Sequence, residues 1–238
     1  MSRSIHGMAK EFLLEIAVGS FERAVAAERA GADRLELCSD LEAGGLTPSV
    51  KLIRRVRAAV KIPIHVLVRP RPGKFAYTPD EFALMKQEIA AMSGEHVEGV
   101  VTGVLLLDGS VDKQRTRELV ALASPMQATF HRAFDKTGDL AVSLEDLVLT
   151  GAHRILTSGG AADAQRGALA LRNLIERAGN RITILPGGGL HAGNIAEVAR
   201  ATGARELHTG LGRIIPYASQ NVEAFESAVR DCAASLGR

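Results

Sequence analysis

Short runs that are apolar, or alternate apolar with polar, recur from one end of the chain to the other. They fall at 13–18, 34–38, 62–69, 100–107, 127–134, 154–157, 181–185 and 206–209, and an amphipathic helical stretch follows each. Eight strand-then-helix units in about 240 residues predict an α/β fold of the (β/α)8 TIM-barrel type with eight parallel strands. No Pro/Ser-rich, charge-block or low-complexity stretch reads as a linker, so residues 1–238 are expected to form one domain, with 1–11 a flexible tail. Helix starts are well marked. Thr78-Pro79-Asp80-Glu81 combines an N-cap, a proline at the first helical position and a capping-box glutamate, and Thr47-Pro48 begins the same way. Helix ends are expected at Gly31, Gly151 and Gly203. Each opens a Gly-Ala-x step into the next run, a weak internal repeat.

Successive strand side chains point to opposite faces. Leu14, Ile16, Leu35, Leu37, Ile64, Val66 and Val68 make the apolar, helix-facing set. Their alternates then point into the barrel: Glu15, Arg34, Glu36, Cys38, His65, Arg69, His131 and His208, with Glu206 sharing the parity of His208. Such a core is normally filled by Val, Ile and Leu, and its active sites are built at the C-terminal ends of several strands. Burying this many ionisable groups is costly unless they are paired, so their clustering marks a candidate site. Asp108 lies just past the fourth run. Arg132 has the parity opposite His131, and either joins the site or faces Asp146 or solvent. Glu15 and Glu36 either do chemistry or form ion pairs with Arg34 or Arg69. Glycine-rich turns follow the last three runs: Ser158-Gly159-Gly160, Gly187-Gly188-Gly189 and Thr209-Gly210. Loops after strands seven and eight often hold phosphate in this fold, and glycine lets peptide N–H groups approach an anion.

Composition narrows the partners. The chain is 46% hydrophobic and 24% charged, with a net charge of +2 and no run of like charge. Neither nucleic acid nor a membrane surface is expected as a partner. Two distant cysteines, Cys38 and Cys232, do not make a secreted disulfide framework, and residues 1–10 lack the pattern of a signal peptide. A cytoplasmic location is expected. No Cys-x-x-Cys or His-Glu-x-x-His zinc pattern occurs. A site of two histidines and a carboxylate, drawn from His65, His131, His208 and Glu36, remains open, although Arg69 would oppose a dication.

Seven ordered motifs resemble the CutC family. They are Leu14-Glu15-Ile16, Arg34-Leu35-Glu36-Leu37-Cys38, Gly44-Gly45-Leu46-Thr47-Pro48-Ser49, Val68-Arg69-Pro70-Arg71, Phe130-His131-Arg132-Ala133-Phe134-Asp135, Ile155-Leu156-Thr157-Ser158-Gly159-Gly160 and Leu185-Pro186-Gly187-Gly188-Gly189. The chain departs from the family pattern at Pro72, Lys74, Thr102 and Thr209-Gly210. The resemblance implies a TIM barrel, a cytoplasmic protein of copper homeostasis that is often dimeric, and a barrel mouth made from Glu15, Glu36, Cys38, Arg69, His131, Arg132 and Asp135.

Two readings follow. The resemblance implies Cu(I) held by Cys38 with help from His65, His131 or His208. The residues themselves suit an enzyme acting on a small anionic or phosphorylated molecule. In that reading Arg69 and Arg132 clamp the anion, and the amides of Gly187, Gly188, Gly189 and Gly210 hold a phosphate. Glu15, Glu36, His131 and Asp135 are the catalytic candidates, and Cys38 is a nucleophile if His131 lowers its pKa. The amphipathic stretch 221–236 either closes the barrel or forms a homodimer face.

Overall fold

A computed structural model describes residues 11–237. The expected tail, apart from Glu11, lies outside the described residues. Eight strands alternate with eight helices: β1 (Leu13–Val18), α1 (Phe21–Arg29), β2 (Arg34–Leu37), α2 (Val50–Ala59), β3 (Ile64–Leu67), α3 (Pro79–Met92), β4 (Gly99–Thr102), α4 (Lys113–Ala123), β5 (Gln127–Phe130), α5 (Leu140–Val148), β6 (Arg154–Thr157), α6 (Ala168–Ala178), β7 (Thr183–Pro186), α7 (Ile195–Thr202), β8 (Glu206–Thr209) and α8 (Val222–Ser235). The strands pair in parallel in the order β7-β6-β5-β4-β3-β2-β1-β8. A parallel bridge between Gly187 and His208 joins the two ends, which makes the (β/α)8 barrel.

The parity holds. Leu14, Ile16, Leu35, Leu37, Ile64, Val66 and Val68 are fully buried in the apolar layer between strands and helices. The alternates fill the barrel, and glycines make room for the large ones. A Cβ on Gly99 would stand 2.5 Å from the His65 ring, and one on Gly103 would stand 2.6 Å from that of His131. The runs at 62–69, 100–107 and 127–134 extend well beyond their strands, and β3 keeps only Ile64–Leu67 of the first. Val104–Leu107 leaves the sheet after Gly103, and Leu107 is 97% exposed. The chain after Phe130 winds into a short 3-10 helix, Arg132–Lys136, capped by the His131 ring, which accepts the N–H of Ala133.

Most of the helix punctuation behaves as expected, but Thr47-Pro48 does not start a helix: Ser49 caps α2 by accepting the Leu52 N–H, while Thr47 accepts the Arg69 N–H and donates to Glu88. Gly31, Gly151 and Gly203 all take positive φ, which glycine adopts without strain. Thr78 and Glu81 exchange side-chain and backbone hydrogen bonds at the start of α3 in a complete capping box. Thr78→Ala is therefore expected to cost about 1 kcal/mol. A lowered urea midpoint with an unchanged slope is the readout, and no shift would mean that the cap carries nothing. Helix α8 packs on α1 and buries Phe225, Val229 and Cys232, so its apolar face closes the barrel wall.

Candidate functional site

Three acids and three bases form a chain of ion pairs from the barrel floor toward its mouth. Arg34, Arg154 and Glu206 are the first residues of β2, β6 and β8. Glu206 Oε2 accepts from Arg34 Nη2 and from Arg154 Nε, both at 2.7 Å. Arg34 Nε donates to Glu15 Oε2, and Glu15 Oε1 lies 2.7 Å from His208 Nδ1. His208 Nε2 stands 3.6 Å from Glu36 Oε2. Two arginines thus match two carboxylates below, and Glu36 and His208 face each other at the top of the chain.

These contacts set the protonation states. Burial would raise the Glu15 carboxyl, but Arg34 and His208 together hold it well below the usual carboxylate range. Glu36 has no such arginine contact. Burial and the nearby charge of Glu15 outweigh His208 and push its carboxyl up to about 7. Burial opposes the charged form of His208, yet Glu36 and Glu15 raise its pKa. An acid poised near neutrality beside a histidine is suited to giving and taking protons.

A cavity of about 370 Å³ opens at the C-terminal ends of the strands, a size suited to a small metabolite. Glu36, Cys38, Arg69, His131, Arg132, His208, Gly188, Gly189 and Gly210 line it, so most of the expected residues converge. Glu15, His65 and Gly187 do not line it. Glu15 lies beneath His208, and His65 Nδ1 is 4.0 Å from Glu15 Oε2. Gly187 packs its α-carbon against Leu156, where a Cβ would come within 2.4 Å.

Cations and amide groups ring this mouth. Arg69 is buried, its Nη1 donates to the carbonyls of Ala43 and Gly45 at 3.1 and 2.8 Å, and its Nη2 donates to that of Gly73. Among the described residues no carboxylate lies within 4 Å of it. Arg132 donates from Nε to Asp135 Oδ2 and from Nη2 to Ser158 Oγ, both at 2.8 Å, rather than to Asp146. Its Nη1 flanks Gly188, where a Cβ would stand 3.0 Å away. Asp135 is saturated: it also accepts from Thr157 Oγ1, Ser158 and Gly160 and does not line the cavity. It aims Arg132. Gly188 and Gly189 have φ of +103° and +72°. Among the described residues, the peptide N–H groups of Gly188, Gly189 and Gly210 have no acceptor in the chain.

Three mouth residues were not expected. Arg213, held by Asp163 at 3.1 Å, flanks Gly189, and Tyr217 covers Gly210. Phe75 packs on His131 in a tilted arrangement with ring centres 4.8 Å apart. The Gly210-Leu211-Gly212-Arg213 run was the available signal for the first two. Asp108 sits in an exposed turn, bonded to Ser110, away from the mouth.

The donors expected for Cu(I) do not fit that ion. Among the described residues no three His, Cys, Asp or Glu side chains are grouped to hold a metal. The Cys38 thiol donates to the Val18 carbonyl at 3.5 Å, and burial and the charge of Glu36 push its pKa far up, so it is not a thiolate. Burial also lowers His65 to about 4 in spite of Glu15, and Glu15 engages His208 Nδ1. Met85, Met92 and Met126 are buried in the apolar layer outside the barrel. Cys232 lies in α8, its thiol pushed up to about 12 by burial.

The CutC family profile matches residues 12–213. The chain belongs to the CutC family. It is 43% identical over 202 residues to a human protein named copper homeostasis protein cutC homolog, covering 85% of this chain and 74% of that one. It is 45% identical over 196 residues to a CutC family protein of Chromobacterium violaceum, covering 82% and 79% of the two chains. A crystal structure of a CutC protein from Streptococcus agalactiae superposes with a TM-score of 0.80 at 29% identity, covering 84% of this chain and 98% of that one. The motifs that place this chain in the CutC family therefore include those that build its mouth. Among the described residues, no helix is long and apolar enough to cross a membrane.

Proposed function

We propose that the barrel mouth binds a small phosphorylated metabolite and moves a proton on it, with Glu36 as the acid–base group. One observation carries this. A cavity whose floor holds a carboxyl poised near pH 7 is rimmed by Arg69, Arg132, Arg213 and three peptide N–H groups without acceptors. A buried guanidinium with only carbonyl partners leaves its charge uncompensated, and an anion compensates it. The amides of Gly188, Gly189 and Gly210 with Arg132 make the phosphate seat. Glu15 stays ionised, orients His208 through Nδ1, and lets His208 take up charge as Glu36 changes protonation.

The name of the human relative attaches a copper role to the family. The donor set supports the anion instead, since a single protonated thiol among charged groups is poor soft-metal ligation. Thermal unfolding with inorganic phosphate separates the readings. Phosphate is expected to raise the melting temperature of the wild type, because a ligand of the folded state adds about 2.7 kcal/mol at a hundred times its Kd. Arg132→Ala should lose most of that gain. Equal shifts with chloride at matched ionic strength, or none with phosphate, would remove the anion reading. A one-to-one Cu(I) complex tighter than about micromolar, lost in Cys38→Ser, would restore the metal one.

A further inference from the structure

His131 lines the mouth, yet the phosphate seat and the Glu36 chain leave it without a role. Its Nδ1 accepts the backbone N–H of Ala133 at 3.2 Å. A peptide N–H only donates, so the ring proton sits on Nε2. That Nε2 is buried and has no partner in the chain. Burial and the charge of Arg69 lower the imidazole to about 3, so the ring is neutral across the physiological range. A fixed neutral donor of this kind suits an oxygen that gains negative charge during a reaction. Arg69 is less suited, because three backbone carbonyls already hold it.

We propose that the metabolite is a carbonyl compound carrying a phosphate, and that His131 is a catalytic donor to its carbonyl oxygen while Glu36 moves the proton on the neighbouring carbon. The inference rests on the reading of the mouth as a phosphate site with Glu36 as its acid–base group. Ionised Glu36 takes the proton from the carbon next to the carbonyl. The C–H electron pair becomes a C=C bond, and the carbonyl π pair moves onto oxygen. The enolate oxygen is held by the Nε2–H of His131. Return of the proton from Glu36 to the same carbon restores the compound. Where the neighbouring carbon bears a hydroxyl, that hydroxyl's proton passes to the enolate oxygen, its oxygen becomes the new carbonyl, and return of the proton from Glu36 to the former carbonyl carbon gives the isomer. The step is redox-neutral and needs no co-reactant. Phe75, Leu67 and Leu156 supply the apolar walls that limit water.

The test incubates the full chain with aldose and ketose phosphates of two to five carbons in D2O and follows the α-proton by NMR. Wild type is expected to exchange that proton in at least one probe. His131→Leu should slow exchange about a hundredfold while leaving the Kd for inorganic phosphate unchanged, and His131→Gln, which keeps an N–H donor, should recover part of the rate. Phosphoglycolate, whose carboxylate imitates the planar enolate, should bind wild type about a hundredfold tighter than glycerol phosphate. That comparison needs no variant and holds if His131→Leu misfolds. No exchange in any probe, or exchange indifferent to His131, overturns the inference while phosphate stabilisation leaves the anion site standing. Loss of phosphate stabilisation itself overturns both.

Discussion

Replacing Arg34 with methionine is expected to lower stability by about 3–5 kcal/mol at pH 7. Methionine keeps much of the length and removes the charge. Arg34 is 3% exposed and bridges Glu15 to Glu206, so its loss leaves Glu206 with Arg154 alone and Glu15 with only the weaker charge of His208. The pH dependence identifies the cause. In the wild type Glu15 has a folded pKa below its ordinary 4.5, so its contribution is present above that value and is lost as pH falls. Without Arg34, burial pushes the same carboxyl upward, and the variant loses stability as pH rises instead. The deficit read from urea unfolding should therefore be large at pH 7 and shrink toward pH 4. A deficit equal at both values would show that packing, not charge, holds the floor.

Alternation alone placed Glu15, Arg34, Glu36, His65, His131 and His208 inside the barrel, because the strand period of two is strict and the opposite face is uniformly apolar. It said nothing about depth. Glu15 and His65 point inward as expected but do not line the cavity, and only the tertiary contacts show this, Glu15 being held by Arg34 and His208 with His65 beside it. Arg132 escaped the parity argument because the chain has already left β5 for a 3-10 turn. Arg213 and Tyr217 lie in a loop with no period to read. The pairing of Arg34 with Glu206 joins residues 172 apart in sequence, and nothing local announces it. Apolar content misled at Leu106 and Leu107, where exposure contradicts strand character. Composition is a weak guide at such a point; the glycine at 103 is there to make room for the His131 ring, as Gly99 does for His65.

The family name and the site chemistry address different levels of the same molecule. Shared motifs fix the barrel and the residues at its mouth, while function is set by what those residues do in their places. Cys38 illustrates the gap. By residue type it is the natural copper ligand, but its fully buried thiol is bonded to a carbonyl and faces the charge of Glu36. Asp135 illustrates it in reverse. It looks like a catalytic acid in sequence, and its hydrogen bonds make it the support that aims Arg132.

Glu36→Gln is expected to leave a protein that is more stable than wild type at pH 8 and chemically silent. The folded pKa of Glu36 stands at about 7 against an ordinary 4.5. A raised pKa gives stability that is present below 4.5 and lost as pH climbs through 7, a loss on the order of 3 kcal/mol. His208, also raised, contributes below its ordinary 6.5 and declines above its own folded value, so both groups weaken the wild type toward alkaline pH. Glutamine removes the first of these terms and keeps the shape of the side chain. Denaturation series at pH 5 and pH 8 should show near-equal stabilities at the lower value and an advantage for the variant at the higher one. Phosphate binding should survive, because the proposed seat uses Arg132 and the amides of Gly188, Gly189 and Gly210 and not Glu36. Proton exchange on a carbonyl phosphate should drop by about 10²–10⁴, the usual worth of a positioned acid–base group. A variant that keeps its exchange rate would move the chemistry off Glu36, whereas one that is less stable at pH 8 would mean that the buried carboxylate is better compensated by His208 than by a neutral neighbour.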